Sequence, residues 1–249
     1  MDQGRLVHRG IALAWRRLPG RSPTVVFLPG YRSDMTGDKA MALADLCAGR
    51  GQAMLRFDYS GHGTSGGRFT DGTVGAWLAD TLAVIDALTE GALVLVGSSM
   101  GGWIGLLAAL ARADRVAAFL GIAAAPDFTE ALMWDSMTPK EQATLMRTGV
   151  LPIASDYGEP LPITRALIED GRTRLLLGGP IRLTCPVRLL HGQLDADVPW
   201  EMSLRLMRQL DGCDVRLVLV KDGDHRLSRP QDLALLRDTL LPLLGEDGG

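Results

Sequence analysis

Serine, histidine and aspartate together can make an activated nucleophile, and one serine of this chain stands where that chemistry needs it. Gly97-Ser98-Ser99-Met100-Gly101 follows the continuous apolar run Leu93-Val94-Leu95-Val96 and precedes small and apolar residues from Ile104 to Ala111. The first run predicts a buried parallel strand and the second a helix buried on most sides. A G-x-S-x-G turn between them holds its middle residue in a strained backbone conformation, and glycines two positions either side remove the Cβ atoms that would clash. Ser99 is then expected at the C-terminal edge of the sheet, before a helix N-terminus whose N–H groups can bind an anion. It is read as a nucleophile. A Gly- and Ser-rich turn can also be only a turn, so the reading depends on partners downstream. Ser98 has Val96 rather than glycine two residues before it and is expected to face a neighbouring turn.

A serine nucleophile needs a base, and the base needs an orienting carboxylate. The chain has four histidines. His8 falls in an N-terminal hairpin, away from strand ends. His62, between Gly61 and Gly63, precedes the nucleophile in a Gly-rich loop and reads as a turn or pocket-wall residue. His191 opens a turn after a strand, where a hydrogen bond to the backbone is the expected use. His225 follows the last predicted strand and precedes the last helix, in Asp222-Gly223-Asp224-His225-Arg226, and its position favours it as the base. The acid should come from the loop after the preceding strand. Asp195 is the candidate and Asp197 its competitor, while Asp224 is too close in sequence to orient His225. A tetrahedral oxyanion needs two donors about 3 Å away. The backbone N–H groups of Met100 and of Tyr31, in the turn Pro29-Gly30-Tyr31, are the natural pair, although Pro-Gly also simply ends a strand.

These residues require a scaffold of strands alternating with helices. Residues 5 to 18 alternate polar and apolar around Gly10, which suits an antiparallel hairpin at a sheet edge. Strands are predicted at Thr24 to Leu28, Gln52 to Phe57, Leu93 to Val96, Val116 to Ile122, Val187 to Leu190 and Val215 to Val220. Helices are predicted near 38 to 49, Trp77 to Leu88, 200 to 210 and 231 to 243. The pattern indicates an α/β fold, a mostly parallel sheet with helices on both faces, in which ligands bind beyond the carboxyl ends of the strands. Residues 1–125 and 181–249 would form the core, and 126–180 a lid inserted into it. Within the lid, Asp127-Phe128-Thr129-Glu130 and Thr138-Pro139-Lys140-Glu141 both read as capped helix starts, with Gly149 ending the second helix. Residues 150 to 163, with the turn Asp156-Tyr157-Gly158, predict an extended arm, and Thr164 to Leu177 a helix. Met133, Trp134, Met137 and Met146, with Trp103 from the core, are candidate walls of a substrate pocket. A methionine stripe can equally seal a lid against its own domain.

Composition narrows the partners. The 249 residues are 47% hydrophobic, enough for a well-buried core, and the net charge is −3. Without a basic surface a nucleic-acid partner is not expected. Cys47, Cys185 and Cys213 show no C-x-x-C spacing, which argues against a disulfide framework and a zinc site. No signal peptide or membrane-spanning run is recognised, so a reduced compartment, most simply the cytoplasm, is expected.

The chain resembles the α/β-hydrolase-fold serine hydrolases over nearly its whole length. The residues that carry the resemblance are Phe27-Leu28-Pro29-Gly30-Tyr31-Arg32-Ser33-Asp34-Met35, Arg56-Phe57-Asp58-Tyr59-Ser60-Gly61 and Val96-Gly97-Ser98-Ser99-Met100-Gly101-Gly102-Trp103. Further along, Arg188-Leu189-Leu190-His191-Gly192 with Asp195, Val198, Pro199 and Trp200, and then Asp224-His225-Arg226, complete it. They are similar to a branch of palmitoyl-protein thioesterases and acyl-glucuronide esterases, mitochondrial enzymes of animals. This chain departs from that branch in showing no transit segment, and its Ala-, Arg- and Leu-rich composition fits a bacterial relative. The resemblance implies a nucleophile at Ser99, an acid at Asp195 and a base at His225. It also implies hydrolysis of a small-molecule ester or an acylated protein, without a metal or organic cofactor. Competing readings keep the triad but change the leaving group, as in an aminopeptidase with Glu130, Asp135 or Glu141 as amine anchor, or a lipase or C–C bond hydrolase. A catalytically inert small-molecule binder is the reading of another class.

Overall fold

The alternating N-terminal segment pairs as a hairpin in the computed structural model, which describes residues 1–155 and 158–245. Strands β1 (Asp2–His8) and β2 (Ile11–Leu18) run antiparallel, with Arg9 and Gly10 of the turn at φ 51° and 78°. Two successive left-handed residues match the twist of the strands they join. The chain then alternates: β3 (Arg21–Leu28), α1 (Asp38–Arg50), β4 (Gln52–Phe57), α2 (Val74–Leu88), β5 (Leu93–Ser98), α3 (Met100–Ala111) and β6 (Val116–Ile122). An insertion follows, made of one π-helical turn (Thr129–Trp134), α4 (Pro139–Thr148), β7 (Val150–Ser155), β8 (Gly158–Thr164) and α5 (Arg165–Arg172). The chain ends with β9 (Val187–Gly192), α6 (Glu201–Gln209), β10 (Val215–Val220) and α7 (Pro230–Leu240).

Eight strands form one sheet in the order β1-β2-β4-β3-β5-β6-β9-β10, parallel from β4 to β10. Side chains alternate between its faces. Val25, Phe27, Val94 and Val96 pack with α1 and α7, while Val26, Leu28, Leu95 and Phe119 pack with α2, α3 and α6. Both faces are therefore buried, which is why these strands read as continuous apolar runs rather than alternating ones. The chain moves from β3 outward to β4 and then returns to β5 on the other side of β3. That reversal is a topological switch point between β3 and β5, and sheets of this kind bind ligands beyond the carboxyl ends of their strands at such a point.

The insertion has a small core of its own, Met137, Leu145, Ile163 and Ile168. Its second helix follows the expected chemistry: Thr138 and Glu141 form a capping box, Pro139 opens the helix and Gly149 closes it at φ 82°. The first start differs. Asp127 caps no helix; it sits at φ 62°, and its buried carboxylate accepts the N–H groups of Leu176 and Leu177 at 2.7 and 2.8 Å. The same bonds explain why α5 ends at Arg172 and not at Leu177, since those two N–H groups are turned away from the helix ladder. Helix α2 begins at Val74, earlier than expected, because the Thr73 hydroxyl accepts the Ala76 N–H and caps it. The arm at 150 to 163 is the β7–β8 hairpin; its expected turn at Asp156 and Tyr157 lies outside the described residues.

Candidate active site

Ser99 occupies the bend between β5 and α3 with φ 54° and ψ −120°. A non-glycine residue there costs of order 1–3 kcal/mol and persists only when its surroundings hold it. They do so through three backbone bonds: the Ser99 N–H donates to the Ile122 carbonyl, and the Ser99 carbonyl accepts from Gly102 and Ala125, all between 2.8 and 3.1 Å. The flanking glycines are obligatory by distance. A Cβ on Gly97 would lie 2.3 Å from the Gly101 carbonyl oxygen, and one on Gly101 would lie 2.1 Å from that of Leu28. Met100 is the first residue of α3, so its N–H has no partner within the helix. The turn after β3 abuts the serine directly, since a Cβ on Gly30 would be 3.3 Å from the Ser99 Cβ and 4.0 Å from its Oγ. That turn is closed by the Ser33 N–H donating to the Gly30 carbonyl at 3.1 Å, which leaves the Tyr31 N–H out of its own ring.

The loops after β9 and β10 meet at Asp195. The His225 Nδ1–H donates to Asp195 Oδ2 at 2.7 Å, with the carboxylate wholly buried and the imidazole 21% exposed. The other oxygen, Oδ1, accepts the backbone N–H groups of Asp197 and Val198 at 2.9 and 2.8 Å. Burial alone would raise the Asp195 carboxyl. Hydrogen bonds from His191 and His225, the charge of His225 and the Val198 N–H together outweigh it and hold the group far below the usual carboxylate range. With Nδ1 committed to the acid, His225 keeps Nε2 for proton exchange. Asp197 donates its backbone N–H here, and its carboxylate lies within 4.8 Å of ligand-type atoms of Asp195 and His225.

His191 is the member of this group that the sequence did not single out. Its expected backbone contact exists, Nε2 lying 3.0 Å from the Val198 carbonyl, but the same nitrogen also lies 3.1 Å from Asp195 Oδ2. Both are acceptors, so Nε2 carries the hydrogen, and Nδ1 accepts from the Ser203 hydroxyl at 2.7 Å. A fully buried histidine thus braces the carboxylate from behind. The only sequence hint is the four-residue spacing from His191 to Asp195 across a glycine turn.

The remaining candidates are dispersed. Trp103 is fully buried against Phe128, with ring centroids 5.6 Å apart, and its Nε1–H donates to the Arg174 carbonyl at 3.3 Å. Met133 bridges the main core and the insertion's own cluster, Met137 lies inside that cluster, and Met146 is half-buried on α4. Trp134 lies under the Arg172 guanidinium at 4.3 Å, and Arg172 pairs with Glu130 at 2.7 Å. Glu141 is committed to its capping box. An aromatic cluster around Tyr31, made of Tyr59, Phe69, Trp77, Phe128 and His62, went unforeseen, because its members come from four separate segments. Asp195, Asp197 and His225 each present a ligand-type atom within 4.8 Å of the others. The oxygens of Asp195 already carry four N–H contacts, so a cation there would have to displace them.

Residues 25–235 match the Alpha/beta hydrolase family. The chain belongs to that family. As an alpha/beta hydrolase it is 41% identical over 234 residues to the mouse "Palmitoyl-protein thioesterase ABHD10, mitochondrial", covering 93% of this chain and 78% of that one. A crystal structure of a putative hydrolase from Agrobacterium vitis S4 superposes with a TM-score of 0.93 at 43% identity, over 98% of this chain and 99% of that one. The structure of alpha/beta hydrolase domain-containing protein 10 from mouse gives 0.90 at 38% identity, over 98% of each chain. Among the described residues of this hydrolase, no helix is long and apolar enough to cross a membrane.

Proposed function

We propose that this hydrolase cleaves carboxylic esters or thioesters through an acyl-enzyme on Ser99. The observation that carries the reading is the 2.7 Å bond between His225 Nδ1 and the buried Asp195, which leaves Nε2 of a partly exposed imidazole as proton acceptor. His225 takes the Ser99 proton as Oγ attacks the acyl carbonyl. The N–H groups of Met100 and Tyr31 receive the oxyanion, and Asp195 stabilises the imidazolium. The alcohol or thiol leaves with the proton from His225. Water, deprotonated by the same nitrogen, then releases the acid and restores Ser99. Every step closes with side chains, backbone donors and water.

Residues 1–125 and 181–249 act in this reading as the catalytic core and 126–180 as its lid, whose ends are tied at Asp127. The named thioesterase relatives favour an acyl thioester or acylated protein as substrate, and a net charge of −3 disfavours nucleic acid. The free cysteines suit a reduced compartment, which includes the cytoplasm. Of the three amine anchors the aminopeptidase alternative offers, Glu130 is paired with Arg172 and Glu141 with its capping box, which leaves the exposed Asp135 to serve it. A panel of p-nitrophenyl esters of increasing chain length, acyl thioesters and aminoacyl anilides tests the reading. Higher kcat/KM for esters and thioesters, rising from acetyl toward octanoyl, is expected; preference for the anilides would overturn it.

A further inference from the structure

The Gly61-His62-Gly63 loop after β4 plays no part in the chemistry above, yet it touches the turn on which the oxyanion depends. Arg32 is the third residue of the Gly30–Ser33 turn and has φ 57°, a conformation that favours glycine at that position. An arginine stays there only if something holds it. The His62 ring lies opposite. Its Nδ1 is 3.2 Å from the Ser60 carbonyl, an acceptor, so Nδ1 carries the hydrogen. Nε2 is then a bare acceptor and takes the Arg32 N–H at 3.3 Å. The ring is 4% exposed and meets Tyr59, Phe69 and Trp77 edge-on, with centroids 5.2 to 5.6 Å away, so it cannot turn aside.

We propose that His62, in its neutral form, is a positioning residue that latches the Gly30–Ser33 turn so that the Tyr31 N–H is presented to the oxyanion. The inference rests on the Ser99 acyl-enzyme reading. A second fastening acts at the far end of the same segment. Asp58 accepts the Met35 N–H through Oδ1 and the Thr64 N–H through Oδ2, each at 2.8 Å. Gly63 must be glycine for this, because a Cβ there would lie 2.2 Å from Asp58 Oδ2. The Tyr31 side chain is gripped by the same cluster, its ring 4.9 Å from Phe69 and 5.8 Å from Trp77. The residue between Gly30 and Arg32 is therefore held by its ring on one side and by its neighbour's N–H on the other.

The latch works only with a neutral ring. Protonation would set an Nε2–H against the Arg32 N–H, donor facing donor, with the Arg32 charge nearby. Burial lowers the His62 pKa, opposed by the Ser60 carbonyl and by the charges of Asp58 and Asp80, so the ring is neutral at pH 7. Tyr31 and Tyr59, the other titratable neighbours, are themselves neutral, burial having raised both.

Two polar variants separate the latch from ordinary packing. In His62→Gln the amide oxygen can take the place of Nε2; in His62→Asn the shorter amide reaches only the Nδ1 place. Each is assayed with a p-nitrophenyl ester and titrated with an alkylboronic acid, which forms a tetrahedral adduct and so reads the oxyanion site. The Asn variant should lose about 10- to 100-fold in kcat, approaching the loss of one oxyanion donor. Its KM should stay within about threefold, boronic acid affinity should fall in parallel with kcat, and Gln should restore most of the loss. Equal kcat in the two variants, or boronic acid affinity unchanged in Asn, would overturn the latch. Activity surviving in Ser99→Ala would instead overturn the acyl-enzyme reading beneath it.

Discussion

Asp195 gathers more of the candidate site than any other side chain, because each of its oxygens has a separate task. Oδ2 faces two imidazoles and Oδ1 two backbone N–H groups, so its orientation is fixed before substrate arrives. Asp195→Asn keeps the shape but places an amide where His225 needs an acceptor, favouring the wrong tautomer. A loss of about three to four orders of magnitude in kcat is expected, against less than tenfold for Asp197→Asn. Parallel steady-state assays on one ester decide it, and equal or reversed losses would move the acid role to Asp197. Ser99, Asp195 and His225 were legible as candidates because each follows a strand and their chain order, Ser, Asp, His, is the one expected of an α/β hydrolase. The support of Asp195 by His191 and the contact of His62 with Arg32 were not legible. Both are made by single ring nitrogens whose partners are set by loop conformation, which no periodicity reports.

At the scale of elements, apolar runs and caps located the strands and most helices, while the ends were decided by contacts distant in sequence. The insertion shows this best. Thr138, Pro139, Glu141 and Gly149 carry local instructions and act as written. Asp127 reads as another cap, but its carboxylate joins the start of the insertion to its end across about fifty residues of chain. Asp127→Ala would leave the Leu176 and Leu177 N–H groups without their acceptor, at a cost of about 1–3 kcal/mol for each that finds no substitute. Urea unfolding should register the loss. An unchanged midpoint would mean that the ends of the insertion are held by other contacts, such as the bonds from Gly75 and Arg174 to Asp170.

For the whole molecule, the buried titratable groups make stability depend on pH in separable windows. His62 has a folded pKa below its unfolded value of about 6.5, so below that pH the unfolded chain binds a proton that the folded chain refuses. Stability is therefore lost as pH falls from 6.5 toward the folded pKa. Asp195 is depressed instead, and its contribution, complete above its unfolded value of about 3.9, is lost only at lower pH. Between pH 7 and 5 the melting temperature of the wild type should fall more than that of His62→Gln. Equal slopes would show that the histidine protonates freely in the folded protein.

The proposed catalysis turns on one covalent bond, formed at Ser99 and not at Ser98. Labelling by a fluorophosphonate, mapped by peptide mass and paired with ester turnover, measures it in wild type, Ser98→Ala and Ser99→Ala. The expected result is a single adduct on Ser99 in wild type and Ser98→Ala. Ser99→Ala should be folded, unlabelled and reduced in kcat by at least about 10⁴-fold. A labelled, active Ser99→Ala, or a dead Ser98→Ala, would contradict it.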